Sequence, residues 1–195
     1  MRVGVVLVAL IVSCSNAVGQ NHSSSQSQSL SDNEYSVFSA FLMAQFHPKL
    51  SADDLRVGMP GSVLAPSTLL WTSPISQDDR KAMEKVLAGL EETTLEDFEG
   101  CSTASKLFTR KLSVPVAYQI ASPQQISSVQ NLLAAFPKTW GYIRFSCAGF
   151  NPSHGQALFF VEREMCRGAV GKFILMEKNA SGNWLIKGQM LRWIS

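Results

Sequence analysis

The sequence predicts an α+β domain, with N-terminal helices packed on a C-terminal antiparallel β-meander. Two observations carry that expectation. In the first half, apolar residues recur at helical spacing behind hydroxyl-and-carboxylate start signals. From Gly141 onward, four apolar runs follow one another through short links of Asn, Pro, Ser and Gly. Consecutive strands with such links pair antiparallel, and helices must cover the apolar face they leave.

The chain opens with Arg2 and the apolar run Val3 to Val12. Ten residues fall short of the roughly 20 needed to cross a bilayer core of about 30 Å. The run instead fits the apolar segment of a secretory signal peptide over residues 1–19. Two endings are legible. Ser15-Asn16-Ala17 and Ala17-Val18-Gly19 both space small residues for ordinary cleavage, whereas Ile11-Val12-Ser13-Cys14 resembles a bacterial lipobox cut before a lipidated Cys14. Residues 20–31 are polar apart from Leu30 and are expected to be a flexible tether. The folded domain is then 32–195, long enough for one complete core.

Ser31-Asp32-Asn33-Glu34 is a capping box, and Tyr35, Phe38, Leu42 and Phe46 follow at helical spacing until Pro48. Phe38, Leu42 and Phe46 should therefore face the sheet. A second box, Ser76-Gln77-Asp78-Asp79, precedes Met83, Val86, Leu87 and Leu90. Thr94 to Phe98 starts a further helix, weakened by Gly100. Ser122-Pro123-Gln124-Gln125 opens a last helix with Ile126, Val129, Leu133 and Phe136 on its face. Ser62 to Thr72 and Leu112 to Ala121 read as strands, which Pro66 and Pro115 confine to edges or bulges.

The meander strands are expected at Tyr142–Phe150, Gln156–Glu164, Ala169–Glu177 and Trp184–Ile194. A helix laid on one face of such a curved sheet gives two layers. That layout resembles cystatin-like folds, including the nuclear-transport-factor-like one, and layout alone implies no function.

A family resemblance lies in the same region. Gly141-Tyr142, Phe145-Ser146, Gly149-Phe150-Asn151, Gln156-Ala157-Leu158, Gly171-Lys172-Phe173, Met176-Glu177-Lys178, Trp184 and Trp193-Ile194-Ser195 stand in a pattern over about residues 136–195. It resembles the C-terminal end of a group of uncharacterised exported bacterial proteins, with an echo at Glu34-Tyr35-Ser36-Val37-Phe38. The resemblance implies a bacterial envelope setting and no catalytic residue. This chain departs from the group at Cys147, where members often carry a charged residue.

Composition narrows the function classes. Of 195 residues, 46% are hydrophobic and 16% charged, with a formal net charge of +2. Those values exclude intrinsic disorder and a strongly basic nucleic-acid module. The charge is nonetheless uneven. Residues 31–100 hold 12 acids and 5 bases, a net of −7, while residues 101–195 hold 3 acids and 11 bases, a net of +8. The plain reading is two solvated halves of opposite sign. The sharper one is a basic sheet face built from Arg144, Arg163, Arg167, Lys172, Lys187 and Arg192 that meets an anionic envelope component or protein.

Chemical motifs are absent from the sequence. It holds no G-x-S-x-G elbow, no H-E-x-x-H, no C-x-x-C, no phosphate loop and no dinucleotide fingerprint. His22, His47 and His154 fall in the tether, at a helix end and in a turn. Asp53-Asp54, Asp78-Asp79 and Glu91-Glu92 suit helix starts, where carboxylates complement the dipole. No catalytic residue, cofactor or metal is implied. A cysteine hydrolase pairing Cys101, Cys147 or Cys166 with His154 is the outlying alternative.

Strand register bears on the cysteines. With a tight loop at 151–155, Cys147 faces about Phe159 and Cys166 lies about seven positions further, beyond roughly 20 Å at about 3.3 Å per residue. A Cys147–Cys166 bridge is disfavoured, and Cys101 remains open to either partner in an oxidising compartment. The function expected is that of an exported envelope-associated binding or scaffolding domain, membrane-bound only through a lipid on Cys14. The alternative is a small enzyme or ligand carrier with a pocket between helix and sheet.

Overall fold

The computed structural model describes residues 28–46, 62–64, 75–101, 106–109, 112–114, 118–137, 139, 141–165 and 168–195. Their elements run β1 (Gln28–Ser29), α1 (Asp32–Phe46), β2 (Ser62–Leu64), α2 (Gln77–Val86), α3 (Glu92–Cys101), β3 (Lys106–Leu107), β4 (Tyr118–Ile120), α4 (Val129–Ala135), β5 (Gly141–Phe150), β6 (Gln156–Met165), β7 (Gly168–Lys178) and β8 (Trp184–Ile194). The class is α+β, and β5 to β8 form the antiparallel meander. On its other side β2 and β4 add in parallel, giving a six-stranded sheet in the order β4-β2-β5-β6-β7-β8. So of these two β2 is an inner strand and β4 takes an edge, with Pro66 and Pro115 outside the described residues.

The expectation of one covered face is corrected. Helices cover both faces. On one, α1 lays Phe38, Phe41 and Leu42 on Phe145, Phe159 and Ile174. On the other, α2 and α3 lay Met83, Leu87, Leu95 and Phe98 on Leu158, Phe160, Phe173 and Leu175. The runs Ala157 to Val161 and Phe173 to Met176 are continuously buried, as in a strand covered on both sides. Phe38 stacks on Phe145 at 4.6 Å between centroids and meets Phe159 edge-on at 5.2 Å. Phe38 and Leu42 thus take the expected place, while the side chain of Phe46 lies outside the described residues.

The tether also ends earlier than expected. Gln28–Ser29 pairs in parallel with Lys106–Leu107, and Leu30 is buried in the α1-side core. The capping box behind it closes as read: Ser31 N–H donates to Glu34 Oε2 at 2.9 Å, and Glu34 N–H donates to Ser31 Oγ at 3.2 Å. Ser122 and Gln125 close the same kind of box, yet a turn follows it and α4 starts only after the cap Ser128. Ser127, Ser128 and Asn131 compete for the local backbone there, Ser127 Oγ donating to Gln124 O and Asn131 N–H to Ser128 Oγ. That late start turns Leu132 inward and leaves Val129 and Leu133 exposed.

One irregularity in β5 organises the centre of the sheet. Phe145 pairs with Val161 but Ala148 with Phe159, so β5 carries one residue more than β6 between those pairs. The bulge flips the faces. Ile143 and Phe145 point to α1, and after the extra residue Ala148 takes that side while Cys147 points to α3. Two amide groups lose their ladder partners there, and side chains replace them. Phe160 N–H donates to Ser146 Oγ at 2.8 Å, and Ala148 N–H donates to Glu34 Oε1 at 3.3 Å. Glu34 also accepts from Lys106 Nζ at 2.9 Å, so one buried carboxylate ties α1, β3 and the bulge together.

Past the bulge α3 comes unusually close. A Cβ on Gly149 would sit 2.1 Å from the backbone nitrogen of Phe98, so only glycine admits this approach. Beside it, Cys101 and Cys147 form a disulfide with their Cα atoms 6.1 Å apart.

Candidate functional site

The basic residues singled out in the sequence do not share a face. Strand register separates them. Arg144 pairs across from Glu162, on the side whose neighbours Leu158 and Phe160 meet α2 and α3. Arg192 reaches the same side, where its guanidinium pairs with Asp79 at 3.1 Å. Lys187 pairs with Glu177 at 2.9 Å. Arg163 and Lys172 instead stand on the α1 side, among Val161, Val170 and Ile174. Two bulges in β8, at Lys187 and at Arg192, re-aim its residues and account for part of the split. The five described candidates thus divide between the two faces, Arg144, Lys187 and Arg192 on one and Arg163 and Lys172 on the other, and Arg167 lies outside the described residues.

The group around Arg144 is self-neutralised. Tyr142 Oη donates to Glu164, Arg144 Nη2 donates to Tyr142 Oη at 2.9 Å, and the guanidinium lies 4.9 Å above the phenol ring. Burial, then the bond to Glu164, pushes the Tyr142 phenol well above its ordinary range. Burial likewise raises Glu162, aided by the Glu164 charge and opposed by Arg144. A raised carboxyl favours the folded state below its ordinary value, and that contribution is lost as pH rises through the folded one. Stability of the parent should accordingly carry a decline that starts near pH 4.5, and Glu162→Gln should remove that component. Urea midpoints across pH 4 to 7 measure it, and identical slopes in both proteins contradict the assignment.

Several carboxylates elsewhere are likewise occupied. Arg80 pairs with Glu92 and, at 2.8 Å, with Glu99, Glu91 accepts from Asn151 Nδ2, and Asp97 accepts from Phe150 N–H. Among the described residues no group of three or more His, Cys, Asp or Glu is placed to hold a metal ion. The disulfide removes Cys101 and Cys147 as nucleophiles, and His154 sits in the β5–β6 turn against Asn33 and Phe150. Cys166, His22, His47 and the lipidation candidate Cys14 lie outside the described residues.

Arg163 and Lys172 are different. Neither has an ion-pair partner among the described residues. Arg163 faces Val170 across the β6–β7 pair and Val161 faces Lys172, so the two cations are diagonal neighbours on one face. Such positions lie roughly 7–8 Å apart, within reach of both long side chains, and like charges there repel. They line a hollow of about 80 Å³ between the last turns of α1 and the sheet. Phe41, Ile143, Val161 and Ile174 line its floor, and Gln45 and Gln189 supply neutral polar groups. The signal for this site was present in β6 and β7, where Arg163 and Lys172 interrupt apolar alternation and Lys178 ends that face of β7 over Trp184. Choosing these two from six bases needed the register.

No protein-family model, no curated protein and no solved structure matches this chain.

Proposed function

We propose that this chain is an exported cell-envelope protein whose folded domain binds an anionic component and is not an enzyme. One observation carries the binding part: Arg163 and Lys172 have no ion-pair partner among the described residues and stand beside an apolar hollow, whereas Lys187 and Arg192 are each ion-paired to a carboxylate and Arg144 stands across from Glu162. The basic sheet face read from the sequence thereby contracts to two residues. The export part is supported by the signal-like run Val3 to Val12 and by the Cys101–Cys147 disulfide, which persists in oxidising compartments. The C-terminal resemblance to exported bacterial proteins points the same way. A second reading, a ligand carrier, is favoured by the hollow itself.

Expression of the full chain in a Gram-negative host tests this reading. The parent should partition into the detergent phase through a lipid on Cys14, and Cys14→Ala should leave it. The Cys14→Ala protein should still sediment with isolated envelopes at low salt and come off at high salt, because the Debye length falls from about 10 Å at 0.1 M to about 3 Å at 1 M. Recovery of both forms as unlipidated soluble protein disposes of the lipid anchor. A cytoplasmic product with Cys101 and Cys147 as free thiols overturns export, and no sedimentation at any salt overturns envelope binding.

A further inference from the structure

We propose that the hollow is a site for an anionic amphiphile: a carboxylate head held between Arg163 and Lys172, with its aliphatic chain along Val170, Leu191 and Ile194. The inference rests on the binding reading above and names its ligand class.

Charge balance argues for an anion. Arg163 and Lys172 bring about two positive charges to the hollow. Among the described residues the carbonyl end of α1 opposes them, since its last turn holds no basic residue and its Gln45 lines the hollow. A helix end supplies only about half a negative charge, so about 1.5 positive charges stay unmatched among the described residues. An anionic head completes that balance, and a carboxylate presents two oxygens, one for each cation.

The apolar path argues for an amphiphile. Register puts Leu191 opposite Lys172 and Ile194 opposite Val170, on the α1 side of the sheet. Leu191 is 52% and Ile194 72% exposed, a strip of aliphatic surface leading from the cations to the end of β8. Single exposed aliphatics are ordinary, but here they line up with the hollow. Gln45 and Gln189 can donate to the head without adding charge. A concave hollow seats one free molecule, whereas a bilayer surface would meet its rim first. The free carboxylate is therefore the occupant proposed, over a membrane.

The test titrates octanoate into the purified, oxidised mature protein and follows backbone amide resonances, with acetate, inorganic phosphate, octan-1-ol and phosphatidylglycerol vesicles as separate arms. Octanoate should saturate and shift the amides of Val161, Arg163, Val170 and Lys172. Acetate and octanol should each bind about tenfold more weakly or worse, because each offers half of the recognition. Arg163→Gln combined with Lys172→Gln should weaken octanoate by about tenfold or more while the melting temperature stays near the parent's. If that double variant is unfolded, Lys172→Met, which keeps the apolar stem, should show the loss alone.

No saturable shift with octanoate overturns the proposal. Equal binding of inorganic phosphate reduces the site to a charge pair, and binding confined to vesicles replaces the amphiphile with a membrane surface; either overturns it. A double variant that binds like the parent places the ligand elsewhere. Salt-sensitive envelope sedimentation alongside a negative octanoate titration sinks this inference and leaves the broader reading standing.

Discussion

Replacing Cys101 and Cys147 together by Ser should lower the stability of the domain by about 4 kcal/mol, the loop-closure value for their separation of 46 residues. The bridge does more than shorten the unfolded chain. It clamps α3 to β5 at the place where Gly149 lets the two backbones approach, and Cys147 is 2% exposed within the α2–α3 core. Its loss therefore frees α3 to lift from the sheet face that it covers. Urea unfolding of the oxidised parent, the reduced parent and the Ser variant measures the effect. The reduced parent should follow the variant, because both lack the same constraint. A variant within about 1 kcal/mol of the oxidised parent would show that the helix–sheet packing holds this face unaided. The same measurement bears on location, since a domain that depends on this bridge folds poorly where thiols stay reduced.

Truncating Phe38 to Ala should cost about 3–5 kcal/mol, the range for emptying an aromatic site in a packed core. Phe38 is fully buried and touches Phe145 face-on and Phe159 edge-on, while Phe41 meets both of those rings. Rings from α1, β5 and β6 thus close on one another. Denaturant titration checks the loss, and a midpoint near the parent's would mean that α1 can shift to refill the site.

Much of the architecture was legible locally. The four meander strands fall within two residues of the sequence reading at every end, because turn residues such as Asn151-Pro152-Ser153 and Ser181-Gly182 interrupt pairing whatever the fold does. The capping box at Ser31 closes and Ser76 Oγ caps Asp79 N–H for the same reason, each being contained in four residues. The box at Ser122 shows the limit: it forms, yet the serine-rich stretch behind it offers the backbone competing partners and delays the helix. The coverage of both faces had a local trace in the unbroken runs at Ala157 to Val161 and Phe173 to Met176. What covers each face had none.

Local patterning set the helices, the strands and the turns, since propensity, capping and alternation act within a few residues. Tertiary structure decided which face each strand residue takes, and with it the rest. Side chains alternate with a period of two, so every extra residue reverses the faces beyond it. The bulge in β5 sends Cys147 to Cys101, and the bulges at Lys187 and Arg192 accompany their turn toward α2-side partners. Arg163 and Lys172, on unbroken stretches of β6 and β7, keep the other face. A bulge depends on whether distant groups satisfy the amides it orphans, as Glu34 does for Ala148 across 114 residues, and no window along the chain contains both.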